Sequence, residues 1–164
     1  EAQDINIFSL IHKNKRGVVV LVNKWDLVEK DTHTAAEYTR HIKYKIAPFV
    51  DVPILFISAL HKQRIHKVLE VADQVYQNRR RRIPTARLNK VVREAVDQNP
   101  PPATRGRYIK IKYATQLHTH SPAFAFFCNY PHAIKEPYKR YLENVLRKHF
   151  DFSGVPIQIF FRKK

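Results

Sequence analysis

Two short aliphatic runs constrain the fold of this chain more than any other feature. Val18 to Val22 is aliphatic throughout, and Pro53-Ile54-Leu55-Phe56-Ile57 repeats that character further along. Neither run alternates apolar with polar residues. A strand with one solvated face would alternate, so such runs suit strands buried on both faces of a parallel sheet. The segment between them reads as a helix. Thr34-Ala35-Ala36-Glu37 has capping-box spacing, in which a hydroxyl and a carboxylate satisfy orphan amides reciprocally. Tyr38, Ile42 and Ile46 follow at four-residue spacing, and Pro48 closes the segment. A later helix carries Ile65, Val68, Leu69, Ala72, Val75 and Tyr76 on one stripe. Residues 2–13, with Ile5, Phe8, Leu10 and Ile11, read as the tail of an amphipathic helix before Gly17. The order strand, helix, strand, helix predicts an α/β domain with a parallel sheet.

The second half follows another plan. Arg79, Arg80, Arg81 and Arg82 form a basic run bounded by Pro84, the signature of a domain boundary and a candidate phosphate contact. Thr85 is placed to cap a helix whose inner face is Leu88, Val91, Val92, Ala95 and Val96, and Pro100-Pro101-Pro102 ends it. Residues 107–116 alternate, with Ile109, Ile111 and Tyr113 on one side and Arg107, Lys110 and Lys112 mostly on the other. That pattern predicts a half-buried strand with a basic exposed face. Residues 123–129 are a second, more apolar strand. Pro137 suits the first turn of a helix with the core stripe Tyr138, Tyr141, Leu142, Val145, Leu146 and Phe150. Residues 155–162 close the chain as a strand. The expectation is a small α+β domain over residues 85–164, in α-β-β-α-β order with a three-stranded sheet. It follows an α/β portion over residues 1–78 and a basic linker over 79–84.

Composition bounds the function classes. Apolar residues make up 44% of the chain and aromatics 12%, enough for packed cores. The longest aliphatic run is far too short to span a bilayer, and residues 1–7 are not a signal peptide. The single cysteine, Cys128, excludes an internal disulfide framework and fits a reducing, cytoplasmic compartment. The chain starts at Glu1 and contains no methionine, which is expected of a piece of a longer protein. Charge is uneven. Residues 1–78 hold 11 Lys/Arg against 9 Asp/Glu, a net of +2, whereas residues 79–164 hold 19 against 5, a net of +14. The second half therefore calls for a polyanionic partner.

The first aliphatic run stops at Asn23-Lys24-Trp25-Asp26. In open parallel sheets, ligands bind beyond the carboxyl ends of strands. Asn-Lys-x-Asp at such an end is the guanine-reading pattern of GTP-binding proteins. An ionised Asp26 is acceptor-only, with two oxygens for the ring N–H and amino group that guanine presents side by side and adenine does not. Lys24 can lay its alkyl stem over the base, and Asn23 can bridge the base edge and neighbouring loops. The second run ends in Ser58-Ala59-Leu60, a small-residue corner where the Ala59 amide is expected to meet the guanine carbonyl and Ser58 to brace the loop. Phosphoryl transfer needs a Gly-x-x-x-x-Gly-Lys-Ser/Thr loop and magnesium-holding residues, and the three glycines, Gly17, Gly106 and Gly154, supply none. The chain alone is not expected to hydrolyse GTP.

Together, "NKWDLVEKD", "ISALHKQRIHKVLE", "RRIPTARLN", "RGRYIKIKYATQ", "KRYLENVLRKHF" and "GVPIQIFFRKK" resemble the Der (EngA) family of bacterial ribosome-assembly GTPases across essentially the whole chain. That resemblance implies two tandem GTPase domains followed by a KH-like domain. This chain would then be the end of the second, P-loop GTPase-type domain plus the KH-like domain. It further implies GTP/GDP as ligand, Mg²⁺ bound by motifs upstream of Glu1, and GTP hydrolysis in maturing the large ribosomal subunit. Ribosomal RNA and the upstream GTPase domains are the implied partners, with no membrane. Guanine contacts carry over to Asn23, Lys24, Asp26, Ser58 and Ala59. RNA-contact candidates are Arg79, Arg80, Arg81, Arg82, Arg107, Lys110 and Lys112. One departure is that residues 129–137, at the place of the Gly-x-x-Gly loop of RNA-binding KH modules, contain no glycine. Electrostatic contact with rRNA phosphates, or a docking role, is therefore expected in place of sequence-specific KH reading. The alternative is a non-catalytic RNA-binding or docking module on a GTPase-like scaffold.

Lesser signals have plainer readings. His118 and His120 suit a strand-end loop, and His61 and His66 a helix surface. Cys128 reads as a core hydrophobe and Trp25 as a seal beneath its loop. Tyr108 and Tyr113 read as strand aromatics before they read as base-stacking platforms.

Overall fold

The computed structural model describes residues 2–29, 31, 33–104 and 106–164. The chain divides into two units. One comprises residues up to Arg79 together with Phe152–Pro156; the other comprises Arg80–Asp151 and Ile157–Lys164. The division falls inside the arginine run.

In the first unit, helix α1 (Ala2–Lys13) precedes β1 (Val20–Val22), α2 (Thr34–Ile46), β2 (Ile54–Phe56) and α3 (Ile65–Arg80). β1 and β2 pair in parallel, Val20 with Ile54, Leu21 with Leu55 and Val22 with Phe56. A parallel pair needs a long crossover, and α2 provides it. One core holds Phe8, Ile46, Phe49 and Val52, with Ile5, Val18, Val20 and Ile42 packed around it. The sheet is not buried on both faces as its aliphatic runs predict. Leu21 is 43% exposed, and on the α3 stripe Leu69 is 66% exposed while only Val75 is buried. The reason is geometric: among the described residues this sheet has two strands, too few to give its second face cover.

The caps differ from expectation too. The start of α2 is held by Asp31, whose carboxylate accepts the amides of His33 and Thr34 and the Thr34 hydroxyl at 2.7–2.8 Å. Thr34 is the first helical residue, not the cap. These bonds, the His33 amide foremost, hold the Asp31 carboxyl below its usual range. α3 runs through Arg80, so Arg79 and Arg80 belong to a helix, not to a linker.

Phe152–Pro156 belongs to the first unit through backbone bonds. The Val18 amide donates to Gly154 O, and the Gly154 amide to Asp51 O, each at 2.8 Å. Asn78, fully buried, donates to Ser153 O at 3.1 Å and accepts from Gln74 at 2.9 Å. Gly154 has φ +74°, and an added Cβ would lie 2.5 Å from a Val75 methyl and 2.8 Å from Val18 O. Only glycine fits there.

The second unit is α4 (Thr85–Gln98), β3 (Ile111–Gln116), β4 (Ala123–Cys128), α5 (Glu136–His149) and β5 (Gln158–Lys163). The sheet order is β3-β4-β5, with β3 antiparallel and β5 parallel to the central β4. The expected element order and core stripes are present: Leu88, Val91, Val92 and Ala95 of α4 and Tyr138, Leu142 and Leu146 of α5 are buried. The Tyr138 and Tyr141 hydroxyls donate to Asn99 O and Ala95 O at 2.9 and 2.8 Å, tying α5 to the end of α4. Pro84, not Thr85, occupies the cap position of α4, and Thr85 makes no capping bond.

The strand predicted over 107–116 is shorter and less regular. It begins at Ile111, and its register slips between Ile111, opposite Cys128, and Tyr113, opposite Phe127. Cys128 and Phe127 are adjacent on β4 and point to opposite faces. The bulge therefore sends Ile111 and Tyr113 to opposite faces as well, against the predicted shared side.

Candidate functional site

The first unit's two strand ends converge. Asn23 follows β1 directly. Lys24 then adopts a left-handed conformation (φ 58°, ψ 33°), which turns the chain into a short 3-10 turn at Trp25–Leu27. Such a conformation costs a non-glycine residue about 1–2 kcal/mol. Two features offset it: the Trp25 amide donates to Ile57 O at 3.0 Å, and the Trp25 ring is buried against Phe56 and Tyr38. Trp25 thus seals the underside of the corner.

After β2 the chain enters a tight turn. Ser58 and Gln63 exchange backbone bonds at 3.4 and 2.9 Å, and Lys62 and Arg64 take left-handed φ values of 53° and 61°. Ser58 is buried, and its hydroxyl accepts the His61 amide at 3.3 Å, which braces the turn internally. The two corners meet where Asn23 Oδ1 accepts the Ala59 amide at 3.0 Å. The Ala59 N–H expected to face a guanine carbonyl is thus directed at Asn23. Asp26 is mostly covered, and its Oδ2 lies 3.7 Å from His61 Nε2. His61, which the sequence places on a helix surface, joins this corner. No local pattern could reveal it, since the turn after Ser58 alone carries it there. Lys24 and Ala59 are exposed.

The structure therefore brings Asn23, Asp26, Ser58 and Ala59 to one edge of the sheet. What they offer is a carboxylate, a carboxamide and a small-residue turn. Among the described residues no group of three or more His, Cys, Asp or Glu side chains is placed to hold a metal ion.

The basic candidates fall into different settings. Arg82 donates to the carbonyls of Leu117 and Thr119 at 2.6 and 3.4 Å, so its guanidinium closes the β3–β4 loop. Arg81 O accepts from Gln116, whose Oε1 takes the Ile83 amide. Arg79 and Arg81 are half-buried, while Arg80, Arg107, Lys110 and Lys112 are exposed. Arg107 closes a tight turn with Thr104 around Gly106 (φ +72°) and lies 5.4 Å from the centre of the Tyr130 ring. Tyr113 stacks on Phe127 at 4.5 Å, and the Lys164 ammonium lies 4.8 Å from its centre. Tyr108 is 78% exposed. Cys128 is buried, which pushes its thiol pKa up. Among the described residues, no helix is long and apolar enough to cross a membrane.

The second unit's helix-backed, three-stranded mixed sheet defines a KH-like domain. Residues 82–162 match the family described as the KH-domain-like, C-terminal domain of EngA bacterial GTPase enzymes. The chain belongs to this Der (EngA) family of GTPases. It is 52% identical over 164 residues to GTPase Der of Amoebophilus asiaticus, 54% over 164 to that of Flavobacterium johnsoniae and 57% over 166 to that of Bacteroides fragilis. Each alignment takes in the whole chain but 38% of the relative, so the chain spans little more than a third of their length.

Proposed function

We propose that this chain is the base-reading and RNA-facing part of a GTP-hydrolysing protein that acts in assembly of the large ribosomal subunit. The observation that carries the reading is the Asn23–Ala59 hydrogen bond, which joins the two sequence-distant corners beside Asp26. In this reading the first unit is the closing portion of a P-loop GTPase domain, and the exposed faces of Leu21 and Leu69 are covered by the rest of that domain. Asp26 accepts the guanine ring N–H and amino group, Lys24 covers the base plane, Ser58 braces the turn, and the Ala59 amide exchanges Asn23 for the guanine carbonyl. The phosphates and Mg²⁺, which supply the leaving group and its charge neutralisation, are held by other parts of the longer protein. The second unit's net basic charge meets ribosomal RNA phosphates through Arg80, Arg107, Lys110 and Lys112. The cytoplasm is the compartment this reading requires.

The test is Asp26→Asn in the longer protein. GTP affinity should fall at least about a hundredfold, because a site with unpaired buried polar groups rejects its ligand strongly. A purine with a carbonyl in place of guanine's amino group should regain affinity, since asparagine offers a donor there. Unchanged GTP binding would sink the guanine assignment and favour the non-catalytic RNA-binding alternative.

A further inference from the structure

We infer that the second unit carries a pocket for one nucleotide of single-stranded RNA beside the β4–α5 connection. This rests on the proposal above that the unit meets RNA, and assigns that contact a site and a chemistry. A cavity of about 680 Å³ opens there, lined by Thr104, Arg107, Asn129, Tyr130, His132 and Lys163 among others. The volume lies within the range that takes nucleotide-sized ligands.

The walls are built, not incidental. The reciprocal Thr104–Arg107 bonds fix the turn that carries Arg107 over Tyr130. Asn129 accepts the Lys110 amide at 2.8 Å and donates to Tyr108 O at 2.9 Å, clamping the chain that enters β3. Opposite, the Thr104 hydroxyl donates to Ala133 O at 3.3 Å, and the Ala133 amide to Tyr130 O at 3.1 Å. Lys163, opposite Cys128 in the β4–β5 register, brings a second cation. Among the described residues, no carboxylate lines the cavity.

Two cations and an imidazole around a phenol ring that is 39% exposed match a phosphate joined to an aromatic base. The guanidinium of Arg107 can face phosphate oxygens with a planar fork or stack on a base. An acidic peptide would use the cations and leave the ring idle. A duplex would present phosphates but no free base face, so the occupant is single-stranded. Residues 129–137 have no glycine to let backbone approach a phosphate closely, and the loop offers side chains in its place.

The experiment measures binding of the 164-residue chain to a labelled single strand of about ten nucleotides, within the site sizes such proteins occupy, and to its duplex at matched salt. Tyr130→Leu and Arg107→Gln should each weaken single-strand binding by about tenfold, the effect of losing one stacked base, and duplex binding by less than about twofold. Tyr130→Phe, which keeps the ring, should bind like the unsubstituted chain; it also tells lost stacking from lost folding. Lys110→Ala should weaken both ligands alike. Equal losses for strand and duplex, or displacement of the strand by polyglutamate at matched charge, would overturn the pocket and leave the electrostatic reading standing. Absence of any RNA binding at low salt would overturn both.

Discussion

Asn23 Oδ1 accepts the Ala59 amide at 3.0 Å, a single bond joining corners 36 positions apart in the chain. The bond does two things: it holds the Ser58–Gln63 turn against the end of β1, and it occupies the amide that the proposed ligand needs. Binding must therefore exchange one acceptor for another. That exchange costs less than uncovering an unsatisfied amide, because the N–H keeps a partner throughout.

Replacing Asn23 by alanine should remove this tie. The expected cost is about 1 kcal/mol of stability in the first unit, typical of one intramolecular hydrogen bond. Amide hydrogen exchange should speed up at Ala59 while the Trp25 amide, bonded to Ile57 O, stays protected. Unchanged exchange at Ala59 would show that the bond is not populated in solution.

Gly154 and Gly106 separate two costs that are normally mixed. Both have positive φ, 74° and 72°, but of the two only Gly154 is crowded; among the described residues beyond its chain neighbours, nothing lies within 4 Å of a Cβ at Gly106. Gly106→Ala should cost about 1–2 kcal/mol from backbone strain alone. Gly154→Ala adds a clash with Val75 and Val18 O, where overpacking costs about 1–3 kcal/mol more. Thermal unfolding of the two variants compares them directly, and equal losses would contradict the crowding.

Asp31 sets a pH dependence for α2. Its carboxyl is held below the usual range by the His33 amide first, then the Thr34 hydroxyl and amide. A depressed folded pKa means the stabilisation is present above the unfolded value near 3.8 and is lost as pH falls through the folded value. Asp31→Asn should flatten the acid limb of the stability curve, whereas Glu37→Gln should leave it nearly unchanged. An unaltered acid limb for Asp31→Asn would remove Asp31 from its capping role.

Arg82 and the pair Lys110 and Lys112 should behave as opposites. Arg82→Ala releases the carbonyls of Leu117 and Thr119 and should destabilise the second unit by about 1 kcal/mol, as for exposed hydrogen bonds. Lys110→Ala with Lys112→Ala should change stability by less than about 1 kcal/mol. The double change should lower the salt slope of RNA binding by about one to two units. Melting curves and a salt titration of RNA affinity report the two effects separately. A salt slope unmoved by the lysine pair would mean that these side chains face something other than RNA.

The elements were legible because helices and strands are written in short-range periodicity. The α4 and α5 stripes are where the sequence puts them, as is the strand–helix–strand crossover, and the two strand-end corners could be read as one site because both follow aliphatic runs. What the sequence could not reveal depends on partners far along the chain. The bulge that separates Ile111 from Tyr113 is set by pairing with β4. His61 reaches Asp26 only through the Ser58 turn, and Gly154 is required only because Val75 and Val18 stand against it. Even the cap of α2 went to Asp31 over Thr34, since a local motif names several candidate acceptors and the folded backbone selects one. By itself the sequence determined the kind and order of the elements and which residue types stand at the corner. Tertiary structure decided which atoms meet, because a hydrogen bond or a steric contact is settled by distances of a few tenths of an ångström, and residue order does not encode those distances locally.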